Sequence, residues 1–101
     1  MQTAFKMKLK PGFEEEYKKR HDAIWPELRE LLLREGVSDY AIFYDAETNL
    51  LFAVQQNEGT GSQNMGHHEV VQRWWAYMAD IMEVNADKSP VTTPLREVFR
   101  L

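Results

Sequence analysis

The apolar residues of this chain switch between two spacings in a fixed order, and that order limits the architectures open to it. From Thr3 to Leu9 they alternate, with Phe5, Met7 and Leu9 on one face and Lys6 and Lys8 on the other, the period-two pattern of a half-buried strand. Pro11-Gly12 breaks the run, and Glu14, Glu15 and Glu16 follow where carboxylates complement the positive end of a helix dipole. The helical segment they open is interrupted near Pro26, carries Leu28, Leu31 and Leu32 inward and stops at Gly36. Tyr40 to Tyr44 and Leu50 to Gln55 are β-rich runs joined by Asp45-Ala-Glu-Thr-Asn49, a polar turn of hairpin length. Glu69 to Met82 returns to helical spacing through Val71, Trp74, Trp75, Met78, Ile81 and Met82, and Leu95 to Leu101, with Val98 and Phe99, is expected to close as a strand. The order β-α-β-β-α-β is the split arrangement of the ferredoxin-like fold: an α+β domain with an antiparallel sheet and its helices on one face.

With 101 residues, 44% of them hydrophobic, the chain suits one domain spanning 1–101 and is too short for two. A pocket able to hold a ligand takes a noticeable share of so small an interior, and dimerisation would replace that burial. The run Tyr40 to Tyr44 has large groups on both faces, Tyr40, Ile42 and Tyr44 against Ala41 and Phe43, so the second face or an edge of the sheet is expected to meet another subunit. A net charge of −4 with scattered Lys and Arg argues against a nucleic-acid partner, which needs a basic patch. The absence of cysteine removes disulfides, thiolate chemistry and cysteine zinc sites. The start, Met1-Gln-Thr-Ala-Phe-Lys, has no charged leader followed by an apolar stretch, and nowhere do 18 apolar residues run together, so a cytoplasmic protein with no membrane partner is the expectation. Asn57 to Gly66 and Asn85 to Pro94 are the looser segments.

Chemistry concentrates in Tyr17-Lys-Lys-Arg-His21-Asp-Ala-Ile-Trp25-Pro26. On a continuous helix Tyr17, His21 and Trp25 would share one face, and Pro26 would kink or restart the chain beside them. A lone helical histidine is most often structural. Here an imidazole with a reference pKa near neutrality stands between aromatic neighbours and irregular backbone, which makes His21 the candidate for proton transfer. Trp74 and Trp75 point about 100° apart on a helix, so one can pack in the core while the other lines a cavity. Tyr40 and Tyr44 share a strand face, where one can offer its hydroxyl to a ligand and the other fill the core. His67-His68 lacks the carboxylate–histidine spacing of a metal site. No Ser/His/Asp order, phosphate-cradling glycine loop or dinucleotide fingerprint appears. A small aromatic pocket with one acid/base group suits proton movement on a neutral polar molecule.

The motifs Tyr17-x-x-x-His21-x-x-x-Trp25-Pro26-Glu27-Leu28, Asn49-Leu50-Leu51-Phe52-Ala53, Gln72-Arg73-Trp74-Trp75-x-Tyr77-Met78 and Ser89-Pro90-Val91 resemble those of the L-rhamnose mutarotases over nearly the whole chain. The resemblance implies a homodimer of the dimeric α+β barrel type that interconverts the α and β anomers of L-rhamnose without a cofactor. Carried over by position, it makes His21 the proton donor and Tyr17, Tyr40, Trp74 and Trp75 substrate-binding residues, with no metal. The departure lies between Gln55 and His68, where Asn57-Glu58-Gly59-Thr60-Gly61-Ser62 replaces a more acidic, aromatic and helix-prone stretch. On the residues alone two other classes stay open. A small ferredoxin-like monooxygenase or haem-degrading protein would need a more apolar cavity or an iron ligand. A non-catalytic sugar-binding module would bind rhamnose and leave its anomer exchange unchanged.

Overall fold

The computed structural model describes residues 1–58, 62 and 65–101. The elements run β1 (Gln2–Lys8), α1 (Glu14–Asp22), α2 (Pro26–Arg34), β2 (Ser38–Asp45), β3 (Leu50–Gln56), α3 (Glu69–Met78) and β4 (Thr93–Leu95). The strands form one antiparallel sheet in the order β2-β3-β1-β4, the ferredoxin-like arrangement. Phe5, Met7, Leu51 and Ala53 from one face of the sheet join Tyr17, Leu28, Leu31, Val71, Trp74 and Met78 from all three helices in one core. The helices therefore cover a single face. The other face carries Ala41 and Phe43, both exposed. Among the described residues no helix is long and apolar enough to cross a membrane.

Local chemistry accounts for the element ends. Pro26 sits at the first position of α2, where its missing N–H is not needed, and Trp25 caps the helix in an extended conformation (φ −58°, ψ 129°). The proline therefore restarts the chain, with α1 ending at Asp22. At the far end of α2, Gly36 takes φ +86° while its N–H donates to the Leu33 carbonyl and that of Val37 to Leu32, a Schellman stop that an L side chain would strain.

Two boundaries differ from the sequence reading. The helical spacing from Glu69 to Met82 outlasts the helix, which ends at Met78. Ile81 and Met82 are buried all the same, because the chain turns to lie beside the end of β1: the Ile81 carbonyl accepts from Lys10 N–H, and Met82 bridges Leu9. The last strand is Thr93–Leu95, paired with Ala4–Lys6, not Leu95 to Leu101. Among the described residues no strand pairs with the chain beyond Leu95, and Val98 and Phe99 stand 82% and 76% exposed.

Candidate active site

A cavity of about 880 Å³ opens between the helical layer and the sheet, and Tyr17, His21, Tyr40, Trp74 and Trp75 all line it. This volume lies within the range of small-molecule sites. Its floor comes from the inward side of the sheet and its walls from the three helices, so residues far apart in sequence share one space.

His21 occupies the last turn of α1. Its ring stacks on Tyr17 (centroids 4.3 Å apart, planes at 27°) and meets Trp74 edge-on (5.4 Å, 89°), which fixes the imidazole between two aromatic surfaces. Nδ1 lies 3.1 Å from the Tyr17 carbonyl oxygen. A carbonyl only accepts, so Nδ1 carries the hydrogen and Nε2 is the nitrogen left to exchange a proton. Burial lowers the pKa of His21 from its ordinary 6.5, against the opposing pull of the Tyr17 carbonyl and the Asp22 charge. The neutral ring, with Nε2 unprotonated, is the form present at neutral pH.

The two phenols are held in the opposite sense. Burial, with the nearby Tyr40 adding to it, pushes the Tyr17 hydroxyl far above its ordinary range. Burial also raises Tyr40, with the Ser62 hydroxyl pulling the other way. Both remain protonated donors across the physiological range. Tyr44 resolves differently: its hydroxyl donates to Asn49 Oδ1 at 2.6 Å and ties down the β2–β3 turn, where Asn49 takes φ +62°. Of the two tyrosines on that face, Tyr40 is the one not tied to this turn.

Trp74 is 8% exposed and belongs to the core as well as to the cavity wall, whereas Trp75 is only half-buried. Trp75 lies against Gly66 so closely that a Cβ there would come within 2.6 Å of its Cη2 atom. Trp25 does not join the cavity lining as its spacing from His21 suggested. With α1 ended at Asp22, it packs edge-on against Trp74 (5.1 Å, 88°) and beside Tyr77 (5.6 Å). Arg20 clamps this corner: it donates to both Asp80 carboxylate oxygens (2.9 and 3.2 Å), to Glu16 (2.7 Å) and to the Tyr77 carbonyl (2.8 Å). The clamp locks α1, and with it His21, to the end of α3. His67 and His68 stack on each other at 4.1 Å, and His68 Nε2 faces Glu35 Oε1 at 3.1 Å. Among the described residues no group of three ligating side chains surrounds them.

Sequence reasoning passed over Gln55, Ser62, Met65 and Gly66. Gln55 follows Leu51 and Ala53 on the inward side of β3 and is 1% exposed. A polar side chain at an inward strand position signals a buried partner, and that partner is Ser62, which lines the cavity. The Asn57 to Gly66 segment thus contributes Ser62 and Met65 to the cavity wall, while residues 59–61, 63 and 64 lie outside the described residues.

Comparison with known proteins places the chain in a family. A sequence-family model described as L-rhamnose mutarotase matches residues 2–101. The chain is 66% identical over 99 residues to the L-rhamnose mutarotase of Bacteroides thetaiotaomicron, covering 97% of this chain and 95% of that protein. It is 63% identical, with the same coverage, to the one of Phocaeicola vulgatus. The crystal structure of the L-rhamnose mutarotase from Formosa agariphila superposes with a TM-score of 0.92 at 52% identity, over 100% of this chain and 98% of that one. With its motifs, its sheet order and its whole length accounted for, the chain belongs to the L-rhamnose mutarotase family.

Proposed function

We infer that this chain is an L-rhamnose mutarotase in which His21 moves the proton and Tyr17, Tyr40, Trp74 and Trp75 hold the sugar. The observation that carries the chemical assignment is the imidazole itself: Nδ1 tied to the Tyr17 carbonyl, Nε2 unprotonated at neutral pH, and the ring fixed at the wall of a cavity a monosaccharide can enter.

Anomer exchange requires the O1 hydroxyl to lose a proton and the ring oxygen O5 to gain one as the C1–O5 bond breaks. Both oxygens are bonded to C1, so a single nitrogen facing C1 can serve both. Nε2 accepts the proton from O1, C1 becomes the aldehyde carbon, and the imidazolium hands the proton to O5 as O5 departs. Burial makes that imidazolium a stronger acid than an ordinary one, which favours the second transfer. Rotation about C1–C2 and the reverse sequence give the other anomer, with the enzyme restored. Tyr17 and Tyr40 remain neutral and donate hydrogen bonds to sugar oxygens. The indole faces of Trp74 and Trp75 supply apolar surface for the C–H groups and the C6 methyl. Atoms and charges balance in this scheme without a further reactant.

The same proposal includes a single domain over 1–101, a homodimer and a cytoplasmic setting. Support for the dimer is the uncovered apolar surface: Phe43 is 63% exposed on the outer sheet face, and Val98 and Phe99 stand out from the chain end. The lack of cysteine is compatible with a reducing compartment. The test of the activity is exchange NMR on L-rhamnose with and without the protein, read as the rate of α/β interconversion.

A further inference from the structure

The register of β2 on β3 breaks beside the site. Ser38 pairs with Gln56 and Ala41 with Val54, so Asp39 and Tyr40 together oppose Gln55. The extra residue is Asp39, held at φ +47°, a bulge in a strand whose pairing is regular from Ala41 to Asp45. The side-chain directions show what the bulge does. Val37 and Tyr40 both line the cavity, yet they are three residues apart, and an unbroken strand sends such residues to opposite faces. With one residue added between them, Val37 on one side of the bulge and Tyr40, Ile42 and Tyr44 on the other all face the same space.

The surroundings hold the bulge on β2. On the partner strand Gln55 is 1% exposed, and its amide grips Ser62 at two points: Oε1 accepts from the Ser62 backbone N–H at 2.9 Å, and Nε2 donates to Ser62 Oγ at 2.8 Å. Val37 is 3% exposed in the core, and the Tyr40 ring meets Phe5 of β1 edge-on (centroids 6.5 Å apart, planes at 66°). Both ends of the irregular stretch are therefore pinned, and Asp39 takes up the extra length in the left-handed region, which aspartate enters more readily than most L residues. We propose that Asp39 is a positioning residue for the reaction: its backbone conformation, rather than its carboxylate, aims the Tyr40 hydroxyl at the sugar. A bulge kinks and twists its strand, so the direction of the next side chain depends on it, and an error of about 1 Å in a group that holds a substrate is enough to lose its hydrogen bond.

The proposal rests on the mutarotase reading, and the experiment separates the two. Exchange NMR on L-rhamnose gives kcat/KM for the wild-type protein, for deletion of Asp39, for Asp39→Val and for Asp39→Gly, each with Tyr40 intact and with Tyr40→Phe. Deletion of Asp39 removes the bulge and leaves Val37 and Tyr40 two residues apart, so both still face inward while the aim of the phenol changes. It is expected to lower kcat/KM about tenfold, the worth of one hydrogen bond. Asp39→Val keeps the chain length, and its β-branched side chain opposes the positive φ, so it should cost a similar factor and carries the same comparison should the shortened chain not fold. Asp39→Gly loses the carboxylate but takes the left-handed conformation freely, and should retain most of the wild-type value. In the Tyr40→Phe background deletion of Asp39 and Asp39→Val should cost almost nothing further, because their effect passes through the phenol. An Asp39→Gly protein as impaired as the deletion, a tenfold loss that persists undiminished in the Tyr40→Phe background, or bulge variants with wild-type kcat/KM would overturn the proposal. Absence of exchange with the wild-type protein overturns the underlying reading instead.

Discussion

Gly66→Ala is the substitution whose consequence the geometry fixes most tightly. An alanine Cβ at that position would lie 2.6 Å from Trp75 Cη2 and 3.0 Å from Cζ3, where carbon atoms ordinarily rest about 3.5–4.0 Å apart. The overlap is close to 1 Å against the outer edge of a rigid indole, which cannot yield by turning a terminal bond. Nor is the turn free to retreat, since Gln72 Nε2 donates to the Gly66 carbonyl at 2.7 Å and holds it to α3. Forcing a methyl into such a contact costs about 1–3 kcal/mol. Against this, alanine restricts the unfolded chain and returns about 0.4–1 kcal/mol; Gly66 has no left-handed φ that would forbid the side chain. The net is a loss of about 1 kcal/mol, or about 4–8 °C in melting temperature for a chain of this length. Weakened rhamnose binding should accompany it as Trp75 is displaced. Calorimetry and sugar titration of Gly66→Ala, Trp75→Phe and the double variant supply the test, because phenylalanine lacks the ring atoms that meet the new methyl. The loss should shrink in the Trp75→Phe background. A Gly66→Ala protein that melts and binds like the wild type, or a loss unchanged in the double variant, would refute the packing argument.

The remaining predictions concern protonation, the tryptophans and assembly. The exchange rate should hold steady from neutral to mildly alkaline pH and fall as pH drops below 6.5 through the depressed pKa of His21, since Nε2 must start unprotonated; a pH–rate profile flat through the acid range would contradict this. Stability should move the same way. Between the depressed folded value and the ordinary 6.5 the unfolded chain binds more protons than the folded one, so stability falls as pH falls through that window, and urea midpoints of His21→Ala should lack this component. Trp74→Phe should destabilise the fold through the cavity it leaves, by about 1–3 kcal/mol, whereas Trp75→Phe should weaken sugar binding with a smaller thermal effect; the reverse order would exchange their roles. Light scattering should give about twice the chain's 11.9 kDa, and Phe43→Glu should reduce it to the monomer; a wild-type mass of one chain would end the dimer proposal.

Patterns that act within one element were legible from sequence. The alternation Phe5-Met7-Leu9, the Pro26 restart and the Gly36 stop each rest on backbone geometry that neighbouring residues dictate, and they located β1, α1 and α2. The errors lie where tertiary contacts decide. Ile81 and Met82 keep helical spacing, yet their backbone groups are taken up beside Leu9 and Lys10, so the helix ends at Met78. Val98 and Phe99 have strong strand preference but no neighbouring strand among the described residues, and pairing falls instead on Thr93–Leu95, which contains a proline that an edge strand tolerates. For the site, the aromatic and imidazole residues stood out by type. The two-point grip of Gln55 on Ser62 did not, because it joins a strand to a loop through side chains, and the Asp39 bulge leaves the outward alternation of β2 nearly intact.

The central claim is that Nε2 of His21 carries the proton between O1 and O5 of L-rhamnose. Exchange NMR on L-rhamnose, comparing the wild-type protein with His21→Ala at equal concentration and neutral pH, tests it most directly, with sugar affinity measured on the same samples. The account predicts clear acceleration by the wild type, a fall of about 100- to 10,000-fold in His21→Ala, and an affinity changed far less than the rate. A His21→Ala protein that exchanges the anomers as fast as the wild type would contradict it.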